Sequence, residues 1–224
     1  RLRKQLKSWA IESLTRNTKA LWKEFQKFLR VKKKNRVKKP EIKGEIRITK
    51  QAVSVRPYDP KVHTYFEKEK DFLIKELGKD FEVEIHHVGS TAVPGLGGKN
   101  VIDIQLLVAA KKMANKIVEK LESIGYFHNK DGGDEYRIFF NRDRFYDKKK
   151  VHIHIHLMWK SAKKYKDYLM FRDYLRKYPE EAERYYSLKK MWVREAGEIR
   201  EKYTEMKTDY VKEVLNKAKL ELGT

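Results

Sequence analysis

The chain has 224 residues, with 53 Lys or Arg against 32 Asp or Glu, a formal net charge of +21 and no cysteine. That length supports one full hydrophobic core with room for an appendage, and the lack of cysteine excludes disulfides and thiolate metal sites. No run approaches the ~20 consecutive apolar residues of a membrane-spanning helix. A secretory signal is not readable either, although the chain begins at Arg1 and a preceding segment can have been removed. The expectation is a cytoplasmic protein, and its Lys-, Arg- and Glu-rich, cysteine-free composition resembles thermophile usage.

Charge divides the chain. Residues 1–45 hold sixteen Lys or Arg and four Glu, a net +12 that leaves +9 for the rest. Leu2, Leu6, Trp9, Leu14, Leu21, Phe25 and Phe28 fall near helical spacing, which predicts one or two amphipathic helices. Lys32 to Pro40 has the composition of a solvated tether. Residues 1–45 are therefore expected to be a basic helical extension and linker, and residues 46–224 the main domain. The apolar stripe can pack on that domain or on a second copy in a homodimer. The charge can instead bind RNA or DNA through phosphates, or meet an anionic membrane surface.

In chain order, Asp59 and Pro60 open a helix whose apolar face is Tyr65, Phe66, Phe72, Leu73 and Leu77 and which Gly78 closes. Phe81 to Val88 reads as a strand, followed by the Gly89-Ser90-Thr91 turn and a second strand, Val101 to Val108. Alternation puts Ile102, Ile104, Leu106 and Val108 on one face and Asp103, Gln105 and Leu107 on the other. Lys111 to Ser123 reads as a helix, Tyr136 to Phe140 as a strand, and Val151 to Trp159 as a strand with His152, His154 and His156 on one face. From Ala162 the pattern is helical, with a break at Pro179. Strands flanked by helices in mixed order predict an α/β (α+β) fold.

A strand, a Gly-Ser turn and a second strand carrying an acidic residue is the layout of polymerase-β-like nucleotidyltransferases. Small residues let backbone N–H groups of Gly89, Ser90 and Thr91 approach a phosphate. Asp103, set between isoleucines, needs a partner if it stays charged: a divalent cation is one, and Lys99 or an arginine is another. On the first reading, its removal is expected to relieve desolvation and leave the fold intact. His154 and His156 lie two apart on a strand, roughly 6.5 to 7 Å between Cβ atoms, so they can converge on one ion or phosphate. They can also serve as a general base or stand as polar positions on an open sheet face. Lys99, Arg137 and Arg172 are candidate phosphate ligands, although Arg172 and Asp173 can equally fix their helix.

The string His87-Val88-Gly89-Ser90-Thr91-Ala92-Val93-Pro94-Gly95-Leu96, with Lys99-Asn100-Val101-Ile102-Asp103-Ile104, resembles the GrpB family, a branch of the nucleotidyltransferase fold. The resemblance extends from Pro57-Tyr58-Asp59-Pro60 through His154-Ile155-His156-Leu157, Phe171 to Arg176 with Pro179, Tyr185 to Lys189, and Tyr203 to Ala218. It implies a mixed sheet flanked by helices, a helical C-terminal region, and a nucleotide or phosphate-binding site with metal-dependent nucleotidyl transfer to an unknown acceptor. In that reading Gly89, Ser90, Thr91, Lys99, Gln105, Arg137 and Arg172 face a nucleoside triphosphate. Asp103, His154 and His156 hold Mg²⁺ or Mn²⁺, or Zn²⁺ if the histidines ligate, and Asp103 and His154 are the catalytic candidates. Gln105 stands where nucleotidyltransferases usually carry a second carboxylate, and an amide is a poor ligand for a hard cation. A non-catalytic module that binds nucleotide, coenzyme or RNA is the alternative, since similar domains occur fused to dephospho-coenzyme A kinase. A metal-dependent phosphoesterase is the third.

Overall fold

A computed structural model describes residues 54–222, apart from 79 and 198. The expected extension over residues 1–45, with its helices, tether and partners, lies outside the described residues.

Five strands form one sheet: β1 (Glu84–Val88), β2 (Val101–Val108), β3 (Phe127–His128), β4 (Arg137–Tyr146) and β5 (Lys149–Trp159). Their spatial order is β1-β2-β5-β4-β3. β2 and β5 pair in parallel, and the other neighbours are antiparallel. The helices are α1 (Lys61–Leu77), α2 (Lys111–Ser123), α3 (Tyr165–Lys177), α4 (Pro179–Ala196) and α5 (Arg200–Leu222).

The local signals act where the sequence puts them. Asp59 Oδ1 accepts the Lys61 backbone N–H at 3.0 Å and so caps α1, supplying one of the donors that a helix start leaves unpaired. Gly125, at φ +91°, follows α2 in a conformation that other residues rarely adopt. Pro179 separates α3 from α4, since it cannot supply the N–H that a continuing helix would need.

Strand parity then decides the layers. Ile102, Ile104, Leu106, Ile153, Ile155, Leu157 and Phe140 are buried with Tyr65, Phe66, Leu73 and Leu77 of α1 and Ala114, Ile117 and Leu121 of α2. Burying each of the larger of these side chains contributes about 1.5–3 kcal/mol before entropy is counted. Glu69 lies within this layer, fully buried. It accepts hydrogen bonds from the Tyr126 and Tyr146 hydroxyls and from Arg144 Nε, so the carboxylate is satisfied rather than stranded.

The opposite face of the sheet carries Asp103, Gln105, His154, His156 and Arg137. The C-terminal helices lie over part of it, with α3 also reaching β1. Tyr203, Met206, Tyr210, Val214 and Ala218 make the buried stripe of α5. The rings of Tyr185 and Tyr210 stack at 4.8 Å between centroids, locking α5 to α4. Among the described residues no helix is long and apolar enough to cross a membrane.

Candidate nucleotide site

The β1–β2 connection is a 3₁₀ turn over Ser90–Ala92, entered through Gly89 at φ +73° and ψ −169°. A Cβ on Gly89 would fall 2.4 Å from Asp103 Oδ2. Glycine is therefore required twice, by backbone conformation and by the approach of the turn to the carboxylate. Ser90 and Asp103 share one cavity of about 410 Å³, as the strand–turn–strand order led us to expect. Arg137, His156, Lys164, Asp167, Tyr168 and Phe171 line its sheet side and the α3 wall, while Tyr185, Lys207 and Lys212 come from α4 and α5.

Asp103 is partnered by both histidines. In the parallel register Asp103 stands opposite His154 and Gln105 opposite His156. His154 Nδ1 is 3.3 Å and His156 Nε2 is 3.2 Å from the same oxygen, Asp103 Oδ1. Burial pushes the Asp103 pKa up, but the hydrogen bonds and charges of His154 and His156 outweigh it and hold the carboxyl well below the usual range.

The protonation of His156 follows from its other nitrogen. Arg137 Nη1 lies 3.2 Å from His156 Nδ1, and a guanidinium can only donate. Nδ1 is then the acceptor, and the proton of the neutral ring sits on Nε2, facing Asp103. Burial lowers the His156 pKa against the pull of Asp103, and Arg137 lowers it further. Arg137 is itself fixed by Tyr168 Oη at 2.8 Å and the Gly132 carbonyl at 2.9 Å.

These contacts bear on the expected metal set of Asp103, His154 and His156. A cage built from Asp103, His154 and His156 would need a lone pair that His156 does not present, in a place next to a guanidinium. Among the described residues no group of three or more His, Asp or Glu is disposed to hold a metal ion. The Asp103 carboxylate, expected to wait for a cation, has two imidazole partners. A magnesium ion that arrives with nucleotide phosphates makes a smaller demand, one or two carboxylates with phosphate oxygens and water filling the rest. Asp103 keeps Oδ2 beside the turn, while Oδ1 faces both histidines.

The remaining expected ligands divide. Gln105 is fully buried and donates to the Tyr165 carbonyl at 2.9 Å; it anchors the start of α3 and does not line the cavity. Thr91 is buried, and its hydroxyl bonds the Val101 carbonyl at 2.9 Å and His87 Nε2 at 3.0 Å, so its side chain braces the turn from behind. Arg172 donates to the His87 carbonyl at 3.0 Å and pairs with Asp173, tying α3 to β1. Lys99 lies over the Tyr203 ring at 4.6 Å and lines a separate, smaller cavity with Arg56, Asp59 and His152.

One residue that the sequence reading passed over belongs to the site. Lys189 is 2% exposed, and its Nζ donates to Ser90 Oγ at 3.0 Å and to the Gly97 carbonyl. The signal was present: Ala182, Tyr185, Lys189, Trp192 and Ala196 recur at helical spacing as the buried stripe of α4, and a lysine there is out of place.

A model of the GrpB protein family matches residues 52–217. The chain belongs to the GrpB family. A UPF0157 protein of Pseudomonas aeruginosa is 33% identical to it over 168 residues, 74% of this chain and 67% of that protein. The glutamate-rich protein GrpB of Alkalihalophilus pseudofirmus is 31% identical over 156 residues, 67% of this chain and 87% of that one. The match to UPF0157 protein YqkA of Bacillus subtilis, 28% identical, spans 76% of this chain but about half, 48%, of that relative. The crystal structure of GrpB from Enterococcus faecalis superposes with a TM-score of 0.63 at 27% identity, covering 76% of this chain and 100% of that one. The GrpB match thus takes in the turn, Asp103, both histidines and Lys189, and leaves residues 1–51 outside.

Proposed function

We propose that this GrpB protein binds a nucleotide, or a related phosphate ester, and that its reaction is nucleotidyl transfer to an acceptor. The observation that carries this reading is the seating of the Gly89–Ser90 turn directly on Asp103, at one wall of a cavity ringed by Arg137, Lys164, Lys207 and Lys212. An anion-accepting turn beside the Asp103 carboxylate suits a phosphate chain with its magnesium. Tyr168, Phe171 and Tyr185 give the cavity apolar surface for a base or ribose. Magnesium, held by Asp103 and the phosphates, would withdraw charge from the phosphoryl oxygens. Arg137 faces the cavity as a fixed cation, and His156 keeps Asp103 ionised and oriented.

Binding without turnover is a second reading, and Gln105 favours it. The position that carries a second carboxylate in two-metal transferases is here an amide bonded to Tyr165, built into the fold.

Both readings are tested by titrating the full chain with ATP, ADP and adenosine, with Mg²⁺ or with EDTA, and by following pyrophosphate release from ATP with candidate acceptors. Saturable ATP binding that Mg²⁺ strengthens supports the site, and pyrophosphate release supports transfer. Binding without release leaves the module reading. No binding of any phosphate-bearing ligand overturns both.

A further inference from the structure

Lys189 sits behind the turn rather than in the cavity. Its Nζ touches Ser90 Oγ, the Gly97 carbonyl and, at 4.5 Å, the Tyr185 ring. The loop closes tightly around it: a Cβ on Gly98 would fall 3.0 Å from Ser90 Cβ and 3.5 Å from Nζ. Among the described residues no carboxylate forms an ion pair with Lys189. An ammonium held this deep without a counter-charge is costly, and a leucine or methionine would fill the same stripe of α4 without that cost. The group contacts one hydroxyl, that of Ser90, and Ser90 is a residue of the cavity wall.

We propose that Lys189 is the buried cation of the anion site, a positioning residue that turns the Ser90 hydroxyl proton into the cavity and makes the turn prefer ligands with ionised phosphate. The inference rests on the nucleotide reading above and deepens it. A protonated lysine has three donors and no acceptor, so Ser90 Oγ must accept from it and donate elsewhere. The open direction is the cavity, where a phosphate oxygen completes the chain Lys189 to Ser90 to ligand and supplies the counter-charge that Lys189 lacks.

The charges around Nζ agree with this. Burial lowers the Lys189 pKa to about 7, Lys207 of α5 and Lys99 lower it, and Asp103 of β2 works in the opposite direction. Near neutral pH the empty site therefore holds this proton loosely. An anion arriving on Ser90 tightens it, so binding takes up a proton from solvent.

The test compares ADP and adenosine as probes on the full-length chain, for the wild type, Lys189→Met and Ser90→Ala. Lys189→Met removes the charge while keeping the volume. It is expected to weaken ADP binding about ten- to a hundredfold and to leave adenosine binding unchanged, whereas a merely structural lysine would move both ligands together. ADP affinity of the wild type is expected to fall between pH 7 and 9, where the ADP phosphates are already ionised, and Ser90→Ala should flatten that fall. The pH profile and the Ser90→Ala variant decide the matter even if Lys189→Met does not fold. Wild-type protein that binds neither ADP nor any other phosphate-bearing ligand overturns the nucleotide reading and this inference with it, and one that binds ATP but not ADP overturns this inference alone. Wild-type binding with a flat pH profile, or an unchanged ADP-to-adenosine ratio in Lys189→Met, overturns the role of Lys189 alone.

Discussion

Asp103 Oδ2 lies where the Cβ of any other residue at position 89 would have to be, 2.4 Å from that atom. The turn that would receive a phosphate and the carboxylate that would hold its cation are thus in van der Waals contact through a missing side chain. Gly89→Ala combines that collision with a strained φ, and the expected cost is about 1–3 kcal/mol of stability, with nucleotide affinity lost by more than tenfold. Gly95→Ala is the control. Gly95 also has a positive φ, but a Cβ there meets nothing within 4 Å, so it should cost about 1 kcal/mol and leave binding intact. Thermal melts and ADP titrations of the two variants check this, and equal binding by both would detach the turn from the ligand.

Asp103→Asn is expected to lower stability at pH 7 by about 1–3 kcal/mol, because His154 and His156 lose a charged acceptor, and to remove any effect of Mg²⁺ on nucleotide binding. The pH dependence has a definite sign. His154 and His156 hold the folded-state pKa of Asp103 below its unfolded value, so its contribution is present above about pH 4 and is lost as pH falls further. Urea unfolding between pH 7 and pH 3 should therefore show a gap between wild type and variant that is full at pH 7 and begins to narrow below about pH 4. An equal gap at both values would mean that the carboxylate charge adds nothing.

His87 makes a second, separable prediction. It stacks on Phe66 with ring centroids 4.4 Å apart, and burial lowers its pKa from 6.5 to about 4. Between those values the unfolded chain takes up a proton that the folded chain refuses. Stability should then fall as pH drops from about 6.5 to 4, by up to roughly 3 kcal/mol from this group. His87→Gln, which cannot ionise, should be less stable than wild type at pH 7 yet lose less on acidification. Denaturant unfolding at pH 7 and pH 5 measures the difference, and identical slopes would rule His87 out as the acid-sensitive group.

Deleting residues 1–45 is expected to leave the remaining domain folded, because the family match begins at residue 52. If the extension binds nucleic acid, the full chain should bind RNA with steep salt dependence and the truncated chain much more weakly. If its apolar stripe packs on protein, truncation should instead change oligomeric state or solubility. Salt titration of RNA binding and light scattering on both forms separate the outcomes. No change in either would make the extension a passive tail.

Much of the layout could be read before the structure. Alternation in Val101–Val108 put Asp103 and Gln105 on one face, and the 3.6-residue spacing of Tyr65, Leu73 and Leu77 found the inner side of α1. Local periodicity could not show which way the histidine rings turn. That depends on β2 and β5 being parallel neighbours, with Asp103 opposite His154, and on Arg137 reaching across from β4. The burial of Gln105 and the tie from Arg172 to the His87 carbonyl are set by where α3 docks, which no window of sequence contains. Lys189 was visible as a lysine on an apolar stripe, but its target, Ser90, is 99 residues away in the chain.

The parallel pairing of β2 with β5 also bears on how the site comes into being. Asp103 and His156 are separated by 53 positions, and α2, β3 and β4 must be made before β5 can dock. Contacts closed over such long stretches form late, since loop-closure entropy must be met before they stabilise anything. A chain caught with its α1–β1–β2 segment in place but β5 undocked would carry the turn and the carboxylate without the histidines. Nucleotide binding during refolding would therefore report completion of the sheet rather than collapse of the core.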